Sequence, residues 1–489
     1  MKQLVLISLL FTFFTYSQTQ IGVDIDGETY YDKSGTSLSI SADGSIIAIG
    51  APFNDGNGSD SGHVRVYENI SGTWTQIGAD IDGEAAGDHS GNSVSLSGDG
   101  SIVAIGAYYN GGNGAYSGHV RVYENISGIW TQVGDDIDGE AASDQSGNSV
   151  SLSSDGSIIA IGALWNSESS LGAGHVRIYE NLSGVWTQIG TDIDGEETQD
   201  RSGLSVSISS DGSIVAIGAS ANDGNGSSSG HVRIYENISS VWTQIGQDID
   251  GEAVSDGSGH SVSISSDGSI VAIGAPFNNE NGNDSGHVRV YENISGVWTQ
   301  IGDDIDGEAE YDYSGICVSI SSDGSIVAIG ASDNDGNGAY SGHVRIYKNI
   351  SGTWTQIGTD IDGEAAGDES GTSVSLSSNG SVVSIGALFN DINGTYRGHV
   401  RVYDLSAVLS ANSFNVDYFS MYPNPSQNRV DIKLINNQKL KQINIYTVLG
   451  KYLYSEKSLS IDISHLSAGI YVLEVETNQG KSAKRLVKK

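Results

Sequence analysis

Four acidic residues per repeat offer the plainest chemistry in this chain. Asp24, Asp26, Glu28 and Asp32 stand at relative positions 1, 3, 5 and 9. The set recurs as Asp80, Asp82, Glu84 and Asp88, and so on through seven copies to Asp360, Asp362, Glu364 and Asp368. That spacing presents carboxylate oxygens as a calcium loop does, and calcium takes about 6–8 oxygen ligands. The glycine, however, falls at position 4 (Gly27, Gly83) rather than at position 6, where such a loop turns sharply. The competing reading is that these acids cap turns, accept loop N–H bonds and keep the protein soluble. Calcium is the one cofactor the sequence suggests.

Two further sets suit ligand binding. Aromatic residues precede an Asn- and Gly-rich loop in five copies, as Phe53, Tyr109, Trp165, Phe277 and Phe389. Beside Asn and Asp, such rings suit stacking on a sugar or a protein hot spot; otherwise they pack under the loop against the next blade. Just before each Ser-Gly stand Lys33, His89, Gln145, Arg201, Gly257, Tyr313 and Glu369. Their surroundings are copied faithfully and they are not, which fits either ligand specificity or a permissive exposed position.

Seven histidines, His63 through His399, recur in the third strand of each repeat. That strand lies about 10 Å outside the innermost one at ~4.8 Å per strand. The seven imidazoles therefore cannot converge on one ion, and ladders with the Arg two residues on and with neighbouring blades are expected. Cys317 replaces a Ser and reads as a small packed residue. Catalysis needs an asymmetric constellation, and nearly every ionisable position here is repeated sevenfold. Such symmetry serves multivalent binding, so an enzyme is not expected. The reading is a secreted or surface adhesion module for a glycan or protein ligand. A polysaccharide-active hydrolase or lyase and a purely structural surface component are the alternatives.

The elements that position these residues repeat every 56 residues without insertion or deletion, from Asp24 to Asp360 and from Trp74 to Trp354. In the second copy four strands can be read: Ser90 to Ser97, Ile102 to Ala107, His119 to Glu124 and Trp130 to Ile137. The Asp99-Gly100 pair predicts a two-residue type I′ hairpin turn. Four antiparallel strands per unit predict a propeller blade. The first three strands occur seven times, but the fourth follows only six of them. Thr19-Gln20-Ile21-Gly22 matches Thr75-Gln76-Ile77-Gly78 and supplies the seventh, closing the ring. The fold class is all-β: a seven-bladed β-propeller closed by the N-terminal strand, then a small Ig-like β-sandwich. By strand parity, the loops carrying the acids and the aromatics share one face.

Domain limits follow from composition. Acidic residues outnumber basic ones 60 to 23, for a net charge of −37, which argues against nucleic acid as a partner. Residues 1–17 read as a signal peptide: Lys2, then an apolar run from Leu4 to Phe14, too short for a membrane-spanning helix of ~20 residues. No other segment could span a bilayer. Residues 18–404 form the propeller, 405–413 a linker and 414–489 a final domain. Beyond residue 404 the charge reverses, with 11 Lys and Arg against 6 Asp and Glu.

The tail carries Tyr422-Pro423-Asn424-Pro425, then Leu449-Gly450-Lys451, then Ala468-Gly469-Ile470-Tyr471, and stops at Lys488-Lys489. In this order it resembles the C-terminal sorting domain of type IX secretion cargo. The resemblance implies export, a type IX machinery partner, and a secreted or outer-membrane-surface location in a Gram-negative bacterium. It makes Pro423, Asn424, Pro425, Gly450, Gly469 and Tyr471 the sorting motif. The repeats resemble bacterial FG-GAP units of integrin-like propellers through Ser261-Val262-Ser263-Ile264, Val271-Ala272-Ile273-Gly274-Ala275-Pro276 and Gly286-His287-Val288-Arg289-Val290-Tyr291. They depart from that family where Phe-Gly becomes Ser-Gly, as at Ser34-Gly35. The family's calcium loop is here a bare Asp-Gly turn.

Overall fold

The computed structural model describes residues 17–391, 394–411, 419–434, 439–447, 451–477 and 481–489. The expected signal segment up to residue 16 and Gly450 lie outside them. The chain divides into two compact units, of which one is Gln18–Leu405 and the other includes Ser406–Lys489. Ser406–Ala411, expected as linker, is a short helix. Among the described residues no helix is long and apolar enough to cross a membrane.

The first unit is seven antiparallel sheets of one design. In blade 2 the inner strand Ser93–Leu96 pairs with Ile102–Ala107, which pairs with His119–Ile126, which pairs with the outer Ile129–Gln132. The outer strand does not run on to Ile137 as the sequence suggests. It breaks after Gln132, and Ile137–Asp138 rejoins the third strand opposite Val120 and His119. Gly134, at φ 77°, makes the break, and Trp186 of the next blade donates to the Val133 carbonyl there at 2.9 Å. The same indole bond joins Trp74 to Ile21 across the seam. The recurrent Trp is thus a tie between neighbouring blades.

Each sheet is open, and the ring closes by packing and by one exchanged strand. Thr19–Gln20 pairs with Asp404 and Tyr403 as the outer strand of blade 7, and Ile25–Asp26 follows on Val400 and His399. The inner serines carry the bonds between blades. Ser37 Oγ donates to the Gly91 carbonyl, and Ser373 Oγ repeats that bond to Gly35 over the seam. Ser39 Oγ accepts the Leu96 N–H, and Ser375 Oγ accepts that of Ile40. This explains a Ser at alternate positions of a strand whose other face is apolar.

The core lies between blades. Val64, Val66, Val94, Leu96, Val103 and Ile105 form one such layer, each buried, and each contributes about 1.5–3 kcal/mol. Gly106 is required by close approach: a Cβ there would lie 2.0 Å from the Gly147 carbonyl oxygen of the next blade. The inner turn differs from expectation. Asp99 keeps a negative φ and only Gly100 is left-handed, so the turn is not type I′, which needs positive φ twice. Ser97 N–H reaches Ile102 O around a four-residue loop. Asp99 Oδ1 accepts from Ser97 Oγ, Ser101 N–H and Ser101 Oγ.

In the second unit Phe419–Tyr422, Arg429–Leu434 and Ser460–Asp462 form a three-stranded sheet. Leu440–Thr447, Tyr452–Glu456, Gly469–Thr477 and Lys481–Lys488 form a four-stranded one. Phe419, Ile432, Ile443, Ile461, Leu473 and Leu486 share one buried core between them. Asn424 clamps the last strand, with Nδ2 donating to Arg485 O and Oδ1 accepting Val487 N–H. Pro423 and Pro425 flank that clamp. Tyr471 Oη donates to Ser467 O two residues before Gly469.

Candidate functional site

The long loops interlock on one face. Asn57, after the aromatic of blade 1, donates to the carbonyls of Gly83 and Glu84 in the loop entering blade 2. His89 N–H reaches Asp60 O in the same way. The four acids of one loop are therefore parcelled out among different neighbours. Asp32 is fully buried and accepts the N–H groups of Glu28 and Thr29; Asp88 accepts from Ala85 N–H. Asp24 and Asp80 accept from Gln20 and Gln76. Asp26 and Asp82 end the short rejoining strands, and Asp82 is held above the usual carboxylate range by burial and by Asp80. Glu28 and Glu84 face His63 and His119 across the blade boundary. Gly27 is required by close approach, since a Cβ there would lie 2.1 Å from the Arg397 carbonyl oxygen.

The seven histidines are spread around the ring, and six of them, all but His343, lie within 4.0 Å of carboxylates. His63, 1 % exposed, turns Nδ1 toward Asp80 at 3.8 Å and Glu28 at 3.9 Å. Arg65 lies 3.7 Å from the other Glu28 oxygen and donates to Asp26 O. Burial, with Arg65 beside it, pushes the His63 imidazole down to about 4, so it is neutral at pH 7. Cys317 Sγ accepts the Val374 N–H, and burial pushes its thiol up to about 11.

The aromatic set and the unlike set meet in a single ring. Lys33 Nζ lies 4.3 Å from the Phe53 ring centre and 4.8 Å from that of Phe389. His89 stands between Phe53 (4.7 Å) and Tyr109 (4.9 Å). Arg201 lies over Trp165 at 4.8 Å, and Tyr313 meets Phe277 edge-on at 5.7 Å. All five aromatics are half-buried, which combines the packing and platform readings. Burial first, then Asp333, pushes the Glu369 carboxyl up to about 7 against the opposing Lys33.

Every member of the unlike set sits at left-handed φ, from 51° at Glu369 to 63° at Gly257. Six of the seven are not glycine, although that conformation costs an L-residue about 1 kcal/mol. Where Gly257 and Ala221 remove side chains, a cleft of about 390 Å³ opens between Arg201 and Phe277. A second, of about 420 Å³, lies between Trp165, Gln145 and Gln199. A further group escaped the sequence reading: Tyr30, Tyr31, Tyr116, Tyr311, Tyr340 and Tyr396 are 42–63 % exposed in the same loops. For all but Tyr30 the signal was tyrosine standing where most sister copies carry Gly, Ser or Asp, as Tyr31 against Gly87; Tyr30 stands against Ala86, Ala142 and Val254.

Residues 420–489 match the family model of the secretion system C-terminal sorting domain, and residues 79–123 match that of the FG-GAP repeat. The chain thus carries an FG-GAP repeat within a propeller and a type IX sorting domain, and it is exported, either secreted or held at the cell surface. No curated protein matches the sequence. A protein assigned as a 6-phosphogluconolactonase from Bacteroides uniformis is similar at 13% identity and TM-score 0.47, over 67% of this chain and 85% of that one. The periplasmic gluconolactonase of Pseudomonas aeruginosa is similar at 16% identity and TM-score 0.47, over 68% and 86%. Neither likeness bears on what this chain binds.

Proposed function

We propose that the protein is an exported binding module that takes a glycan on the long-loop face of its propeller. The observation that supports this most is the ring itself: seven chemically unlike groups, six held in a costly left-handed backbone, interleaved with half-buried aromatic rings. Beside Trp165, the amides of Gln145 and Gln199 and the hydroxyls of Ser143 and Ser167 line one cleft. An indole face stacks on the C–H face of a sugar ring while amides and hydroxyls bind its oxygens. Calorimetric titration of the full chain with a panel of surface polysaccharides tests the reading. Trp165→Ala should weaken binding about 30-fold, the loss expected of a hot-spot aromatic, with the unfolding temperature unchanged. Undiminished binding by that variant, or binding only to proteins, would overturn it.

A polysaccharide-active enzyme is the second reading, and Glu369 is what favours it. A carboxyl pushed up to about 7 is poised as a general acid at neutral pH. Release of reducing ends that disappears in Glu369→Gln would establish it over the first.

A further inference from the structure

Blade 5, like blade 3, departs from most of its sisters at one loop position. Where blades 1, 2, 4 and 6 carry Gly56, Gly112, Gly224 and Gly336, blade 5 carries Glu280. Its carboxylate joins those of Glu252 and Asp304 around His287, and one ligand atom from each of the four lies within 4.8 Å of the others. His287 is 0 % exposed, and among the described residues neither ring nitrogen has a partner in hydrogen-bond geometry. Its Nδ1 points into the cluster, 3.4 Å from Asp304 Oδ2 and 4.0 Å from Glu252 Oε2. Asp304 is pre-positioned, because Gln300 donates to its Oδ1 and leaves Oδ2 facing the imidazole. Asp306, cross-strand partner of His287, also has a buried carboxylate oxygen without a partner.

We propose that these four side chains form a site for a divalent transition-metal ion, zinc by donor type and spacing. Zinc–ligand bonds of about 2.0–2.2 Å in a tetrahedron set neighbouring ligand atoms about 3.3–3.6 Å apart. The His287 to Asp304 distance lies within that range, and the Glu252 and Glu280 side chains, both exposed, can close in. A buried imidazole nitrogen selects against calcium and magnesium, which take oxygen ligands. Arg289, 3.6 Å from the other Glu252 oxygen, offsets one of the three carboxylate charges, so two remain for the cation. Blade 3 carries Glu168 at the corresponding position, and His175 there again has an Nδ1 without a partner. The site is distinct from the single-loop calcium arrangement, since it draws one acid from the loop entering the blade and another from the loop leaving it. A bound ion would therefore tie the connection from blade 4, which follows Ile249–Asp250, to the body of blade 5.

The test uses the full chain, stripped with chelator and dialysed against zinc. Metal analysis should find zinc retained by the wild type. Glu280→Gln changes an exposed side chain, keeps the backbone N–H that donates to Asn278, and should lower zinc affinity about tenfold or more. Cobalt in place of zinc should give visible absorption bands that Glu280→Gln alters, and an excess of calcium should displace neither metal. Absence of retained zinc, equal retention by Glu280→Gln, or displacement by calcium would each overturn the assignment.

Discussion

The two faces of the propeller use the same repeat to opposite ends. On the short-turn face one device is copied around the ring. Asp43, Asp99, Asp155, Asp211, Asp267 and Asp323 each accept two serine hydroxyls and a backbone N–H, and only Asn379 breaks the series. On the long-loop face the backbone is copied just as closely, left-handed residues included, while the side chains it presents differ in charge, size and aromaticity. The uniform face suits a scaffold; the heterogeneous one suits the recognition proposed above, because only unlike groups can fix the orientation of an asymmetric ligand.

That contrast can be broken or sharpened by substitution. The largest effect should come from the layer beneath both faces. Ile105→Ala empties a buried position and should cost about 2–5 kcal/mol by denaturant unfolding, abolishing ligand binding only by unfolding the ring. Next, Asp211→Ala on the uniform face should cost about 1 kcal/mol while leaving binding intact. The Ser213 hydroxyl bond, outweighing burial, holds the Asp211 carboxyl below its usual range. Its contribution should therefore be present at neutral pH and fade as pH falls below about 4, through the lowered folded value.

Glu369 should behave in the reverse sense. Its folded value of about 7 exceeds the ordinary value of 4.5, so the folded state holds the proton more tightly than the unfolded one. Stability should rise as pH falls from about 7 toward 4.5, and Glu369→Gln should flatten that part of the profile. A profile unchanged by the substitution would dissociate Glu369 from the desolvated ring. The smallest effect is expected at the odd copy. Asn379 Oδ1 accepts the Ser377 hydroxyl and the Ser381 N–H; Asn379→Asp makes that oxygen a charged, stronger acceptor and should add about 0.5 kcal/mol at neutral pH.

Much of this architecture is legible in the residues themselves. The 56-residue period, the missing seventh outer strand and its replacement at Thr19-Gln20 follow from counting, and the strand pairing agrees. What eluded the sequence was backbone sign. Asp-Gly was read as type I′, but a carboxylate that bonds Ser97 and Ser101 stabilises a longer loop. The acids divide: Asp24 and Asp32 take partners three or four residues away, as turn chemistry predicts, whereas Glu28 meets His63 and Arg65 far along the chain. For the exposed Tyr116 the signal lies only in comparison with Asp60 and Ser228 of sister copies, since nothing in its immediate neighbours marks a left-handed backbone.

The exchanged strand also has a mechanical meaning. Thr19 pairs with Asp404, the last residue of the final propeller strand, so the two ends of the ring meet at one antiparallel junction. Tension applied between those ends loads the junction in peeling geometry, one pair of hydrogen bonds at a time, not in shear. The outer strand there is two residues long, against four in blade 2. Under force, the clasp is where the ring would open first, releasing blade 7 while the other blades keep their own outer strands and their indole ties.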